Sequence, residues 1–362
     1  MTAQHNDTCG AACPPPLRRA EAPVKVLLDI DNAMGLPVRD ADDGVALALA
    51  LWSPEFELTA CTTCSGNCRA SASAQNTLRM LELAGADAVP VAAGTDTPLG
   101  GEDRARHHAF LDAKASGAGA SLWDDVSLTA PSARQASVPA CRLIIETVRR
   151  HPHEVVLVME GALTNLALAL RHAPDIAPLI GAVVHMGGVF APRCPEEMAP
   201  QWKTPDIPEY VWRHALRFNT WYDPQATEEV VRAGLPLCFV PVNVTSRTCL
   251  SSHQIAQMRT ADDPLRCFVR RTLLPWARWS EQVRGLDGAH MHDALALAVA
   301  AMPHLCSWKP FCFDVQAFRD GRDFLLPFGD KPYHRVWVAT AVDAAAFHAW
   351  LLATMGIDVS AL

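Results

Sequence analysis

Between Val24 and Trp52 the chain reads VKVLLDIDNAMGLPVRDADDGVALALALW, a stretch that few folds can house. Its apolar run of Val26, Leu27, Leu28 and Ile30 predicts a strand buried on both faces, as in a parallel sheet. That strand ends in Asp29 and Asp31, a loop carries Asp40, Asp42 and Asp43, and a Gly44-led Ala/Leu run predicts a helix. Five carboxylates therefore crowd one strand-to-helix corner, at the end of the strand where open α/β sheets bind ligands. Helix capping accounts for one or two of them, at roughly 0.3 to 1 kcal/mol each. It does not account for five, because two carboxylates about 4 Å apart repel by roughly 4 kcal/mol at an effective dielectric near 20. A hard dication, which prefers oxygen ligands, removes that cost, so the corner reads as a metal or polyol site.

With 362 residues, 50% hydrophobic and 19% charged, the chain can bury a large core. A net charge of -8 and a pI near 5.9 argue against nucleic acid or an anionic membrane as the main partner. Residues 1–23 are expected to form a flexible tail, since the Pro14 to Pro16 run lacks the apolar centre of a signal peptide. Residues 24–362 are expected to form a single domain. The longest apolar run, Val45 to Trp52, is far too short to span a membrane. Twelve cysteines lie scattered rather than at framework spacing, which favours a reducing, cytoplasmic setting. Cys61, Cys64 and Cys68 come nearest to a zinc cluster, yet no Cys/His pair follows at finger-like spacing.

The strand, polar corner, helix pattern then repeats. Predicted strands at Glu57–Thr63, Val89–Ala93, Val155–Met159, Ala182–Met186 and Leu237–Val242 lead into corners rich in Gly, Asn or acidic residues. Helices are predicted over Ala70–Ala84, Ala140–Arg150 and from Leu163, and Gly288 to His292 introduces Asp293 and an Ala/Leu helix. Residues 100–138 read as irregular, and Pro192 to Arg213 as a polar insertion. The class is α/β, an open, mainly parallel, Rossmann-like sheet flanked by helices, whose strand ends bring polar groups together.

The ordered corners DIDNAMGLPVRDADDGVALAL, TTCSGN, EGALTNLA, HMGG, FNTWYDP and HMHDALALA resemble the inosine-uridine-preferring nucleoside hydrolases, from about Val24 to Ala300. The resemblance implies a calcium ion (Ca2+) that also binds the ribose 2′ and 3′ hydroxyls, and a homodimer or homotetramer. By the same resemblance Asp31, Asp43 and Asp293 are metal ligands, joined by the backbone carbonyl of Glu160, which stands where the family usually has threonine. Asp31 also takes a proton from the attacking water. Asp42, Asn67, Met186 and Asn219 face the ribose, and His292 helps the base to leave. Asp29 supports the cluster. About seven extra residues separate Asp31 from Asp42, so Asp40 is an alternative to either neighbour. The family's sugar-binding glutamate is replaced by Arg217, which favours an anion where the carboxylate would accept a hydroxyl, and so points to a modified or charged 5′ end.

Breaking an N-glycosidic bond passes through an oxocarbenium-like sugar, which suits carboxylates below the ring and a proton donor or stacking surface at the base. Trp276 and Trp279, three apart on a predicted helix, are either core residues or such a surface. His107 and His108 are either lid residues or solvated. Two other classes compete with a ribonucleoside hydrolase. A haloacid-dehalogenase-like phosphatase also starts with DxD, although Ala33 replaces its usual Thr or Val. A non-catalytic nucleoside-binding relative would accommodate Arg217.

Overall fold

The computed structural model describes Pro14, Leu17 and residues 23–101, 103–188, 218–320, 322, 324–327 and 334–358. Most of the expected tail, the expected insertion and Arg217 lie outside the described residues. In chain order the strands are β1 (Val24–Ile30), β2 (Phe56–Thr63), β3 (Val91–Ala93), β4 (Val156–Met159), β5 (Ala182–Met186), β6 (Leu237–Val240), β7 (Cys249–Leu250), β8 (Ala289–His290), β9 (Cys306–Phe313), β10 (Leu325–Pro327) and β11 (His334–Val342). The helices are α1 (Asp42–Trp52), α2 (Ala70–Leu83), α3 (Ala105–Lys114), α4 (Ala140–Arg150), α5 (Thr164–His172), α6 (Phe218–Tyr222), α7 (Pro224–Arg232), α8 (Val242–Thr245), α9 (Ser252–Ala256), α10 (Pro264–Arg284), α11 (His292–Ala301), α12 (Val315–Arg319) and α13 (Ala344–Met355).

Nine strands form one sheet in the order β3-β2-β1-β4-β5-β6-β11-β9-β10. From β3 to β11 every pair is parallel, and β9 runs antiparallel to both β11 and β10. The chain builds outward from β1 through β2 to β3, then returns to lay β4 on the other side of β1. That reversal makes the carboxyl ends of β1 and β4 a topological switch point, where a crevice opens above an open sheet. Asp29 and Asp31 come from the first strand end and Glu160 from the second.

Side chains of β1 alternate between two cores. Val26, Leu28 and Ile30 pack with α1, α2, α10, α11 and α13, while Leu27 packs with α4, α5 and α7 on the other face. Leu17 is buried in the first of these cores. Helices α1 and α11 are apolar on all sides because they lie buried against one another. Both start at the site, with Asp42 and Asp43 in the first turn of one and His292 and Asp293 in that of the other. Helix N-termini carry partial positive charge, so acids are stabilised there. A short antiparallel ladder, β7 with β8, sets the entry to α11, helped by the Met291 amide donating to the Thr248 carbonyl at 3.0 Å.

The structure differs from the sequence expectation in three places. Helix α1 starts at Asp42 rather than at Gly44. Residues 105–114 of the irregular region are the regular helix α3. Its apolar residues are too few to show a clear period, since His107 and His108 supply much of its buried face. Strand β6 stops at Val240, and Asn243 sits in the helical turn α8. Among the described residues no helix is long and apolar enough to cross a membrane, and the described cysteines are free thiols.

Candidate active site

A cavity of about 160 Å³ opens at the switch point, walled in part by Asp42, Asn67, Glu160, Met186, Asn219, His292 and Asp293. Asp31 and Asp43 lie behind this wall, and Asn67 bridges to both. The Asn67 amide donates to Asp31 Oδ2 at 2.8 Å, and its side-chain Nδ2 donates to Asp31 Oδ1 at 3.0 Å and to Asp43 Oδ2 at 3.4 Å. Asp31 in turn donates its own amide to Asp43 Oδ1 at 2.9 Å. This close approach needs Gly66: a Cβ there would fall 1.7 Å from Asp31 Oδ2. Asp29 is buried two residues earlier, within β1, where Thr62 and Asn165 donate to its Oδ1 at 2.6 and 2.7 Å.

Carboxylate oxygens of Asp42, Asp43 and Asp293 lie within 4.8 Å of one another. The Asp293 amide donates to Asp42 Oδ2 at 3.1 Å, so the first turn of α11 positions the neighbouring helix's acid. Asp42, read from sequence as a ribose contact, thus joins the cluster, whereas the Asp31 carboxylate is turned to Asn67. Asp40 borders the cluster: its side chain hydrogen-bonds that of Asp42, its charge helps to raise both Asp42 and Asp31, and its carboxylate accepts from the Ala41 amide at 2.8 Å on the cavity wall. The Glu160 carbonyl, expected as a metal ligand, accepts from Asn219 Nδ2 at 2.6 Å; the same nitrogen donates to the Met186 carbonyl at 2.9 Å.

Burial makes these acids hard to ionise. It raises Asp29 and Asp31 from 3.8 to about 6, and pushes Asp42, Asp43, Glu160 and Asp293 well above the ordinary carboxylate range. Neighbouring carboxylates add to the effect. Oxygens no more than 4.8 Å apart match an ion whose oxygen ligands stand at about 2.3–2.6 Å, as calcium's do. Among the described residues, both side-chain oxygens of Glu160 are buried with no hydrogen-bond partner, as is Asp29 Oδ2. Orphaned oxygens beside a cluster of acids fit a hard cation, and the donor set, all oxygen, excludes a soft-metal preference.

His292 is buried, with Nδ1 2.6 Å from Thr245 Oγ1. Burial, reinforced by His290 and Arg284, holds its pKa well below 6.5, so the ring is neutral at pH 7. Trp276 lines the cavity and stacks on Trp279, with ring centroids 5.3 Å apart and planes 12° off parallel. Trp279 is a backing residue whose Nε1 donates to the Ala118 carbonyl at 3.2 Å.

His107 and His108 are buried rather than solvated. His108 Nε2 meets Ser65 Oγ and Tyr222 OH, each at 3.0 Å, and His107 Nε2 lies 3.3 Å from the Gly66 carbonyl on the cavity wall. Arg39 was not singled out by sequence, although it lies in the extra loop. It lines the cavity, donates to the Asn67 carbonyl at 3.0 Å and pairs with Asp112 of α3 at 2.6 Å. Just before it, Val38 adopts φ 54°, a left-handed conformation that costs a β-branched residue about 1–3 kcal/mol. Arg39→Met is expected to loosen Asn67, lowering kcat/KM about tenfold in a steady-state assay while the far-UV spectrum is unchanged; an unaltered kcat/KM would show that Asn67 holds without it.

Residues 26–349 match the inosine-uridine preferring nucleoside hydrolase family, and the chain belongs to it. The pyrimidine-specific ribonucleoside hydrolase RihA of Klebsiella pneumoniae is 31% identical over 265 residues, covering 73% of this chain and 77% of that one. Among solved structures, a purine-preferring ribonucleoside hydrolase from Gardnerella vaginalis is 25% identical and superposes with a TM-score of 0.71, covering 92% and 98% of the two chains. A plant nucleoside hydrolase shares the fold at a TM-score of 0.73, with 24% identity over 92% and 99%. The chain is accordingly an N-glycosyl hydrolase, and the dehalogenase-like reading falls away.

Proposed function

We propose that the chain catalyses calcium-dependent hydrolysis of the N-glycosidic bond of a ribonucleoside or related N-riboside, giving free base and ribose. One observation carries this: the cation-sized oxygen cluster, Asn67 and Asn219, and the His292 and Trp276 rings all converge on one cavity. Asp31, Asp43 and Asp293 would hold the ion, with Asp42 beside them. A hard dication bound there would neutralise the acids, orient the ribose diol and make water more acidic.

The chain's own residues do the rest. Asp31 accepts the proton of the attacking water, and the Asn67 bonds fix its orientation. Asp42 and Asn67 bind the sugar's diol, Asn219 and Met186 its other end. His292 has Nδ1 engaged by Thr245, which leaves Nε2 for the departing base. Trp276 offers that base a stacking surface, worth about 0.5–1.5 kcal/mol.

Relatives named for purine and for pyrimidine substrates make both bases candidates. The test is release of free base and reducing sugar from a panel of purine and pyrimidine ribosides, with calcium and after chelation. Release that stops on chelation and returns with calcium is expected. Calcium-dependent binding without release would favour the non-catalytic binder instead. A cytoplasmic homodimer or homotetramer completes the proposal, to be checked by sedimentation.

A further inference from the structure

We propose that Glu160 contributes its side-chain carboxylate to the cation site. This rests on the calcium reading above. The residue follows β4 directly, so the strand fixes where its backbone can lie, and one of the two lone pairs of its carbonyl accepts from Asn219 Nδ2 at 2.6 Å. The carboxylate is in the opposite condition. Glu160 is 1% exposed, lines the cavity with Asp42 and Asp293, and neither Oε1 nor Oε2 has a hydrogen-bond partner among the described residues.

A buried carboxylate with no donor, next to other carboxylates, is among the most costly arrangements a protein interior can hold. No structural role explains it: a capping, hinge-fixing or packing glutamate would find at least one N–H. A cation shared with Asp43 and Asp293 supplies what the oxygens lack. A threonine here would leave only the carbonyl to offer, so the glutamate marks a site with one more anionic ligand. Each added carboxylate tightens calcium binding, as ligand charge does in other oxygen sites.

Calcium titration by calorimetry on the full chain decides the matter with no need of turnover. Glu160→Gln removes the charge, and Glu160→Asp keeps it on a shorter arm. Direct ligation weakens calcium binding at least tenfold in both variants, and Glu160→Thr behaves like Glu160→Gln. Wild-type affinity in Glu160→Asp would reduce the residue to a distant charge and overturn the proposal, as would wild-type affinity in Glu160→Gln. Failure of the wild type to bind calcium would overturn it too. Normal calcium binding without base release would instead sink the hydrolase reading and leave this ligand assignment standing.

Discussion

Asp31→Asn is expected to lower kcat for base release by about 10²- to 10⁴-fold, the range a positioned general base contributes. The two side chains have the same shape, so the variant isolates basicity. Asp31 directly follows β1 at the switch point of the sheet, and its carboxylate is held by two donors from one residue, at 2.8 and 3.0 Å. An asparagine can accept only one of them, so some stability is lost: about 1–3 kcal/mol for the unpaired donor. The two effects separate by measurement. Rates normalised to folded protein, with melting followed by circular dichroism, should show the full loss in kcat at a temperature where both proteins are folded. A variant that melts earlier but turns over normally would make Asp31 an architectural residue and move the base elsewhere on the cavity wall.

Much of this site was legible because strand ends and helix starts are punctuated by few residue types. The continuous apolar run of β1, the Asp pair at its end and the Ala/Leu runs of α1 and α11 located five of the acids, Asp29, Asp31, Asp42, Asp43 and Asp293. What escaped was set by contacts between distant segments. No local pattern says that the Glu160 carbonyl accepts from Asn219, 59 residues away, or that the Asp293 amide reaches Asp42. Arg39 was hidden for the same reason: its partners lie in the β2–α2 corner and on α3, and a lone arginine in a loop is usually solvated. Beyond α11 the two long strands β9 and β11 were not read, although burial alternates along part of each; β11 joins the sheet beside β6, from nearly a hundred residues downstream in sequence.

The acid cluster should also reverse the usual response of stability to pH. Asp29 and Asp31 titrate near 6 in the folded chain against 3.8 as isolated groups, so between about pH 4 and 6 the folded state keeps protons that the unfolded state releases. Stability is then full below pH 4 and is lost as pH rises through 6, by about 3 kcal/mol for each such group. Asp42, Asp43, Glu160 and Asp293 are raised further, which carries the decline above pH 6. Chelator-treated protein should therefore melt at least about 3 °C lower at pH 7.5 than at pH 5, given about 1–2 °C per kcal/mol for a chain of this length. Calcium binds the ionised carboxylates in competition with protons, so it should raise the melting temperature more at pH 7.5 than at pH 5. A chelated protein whose melting temperature is flat or rises over that interval would mean that the acids ionise at their ordinary values, and the electrostatic argument for a cation would fail with it.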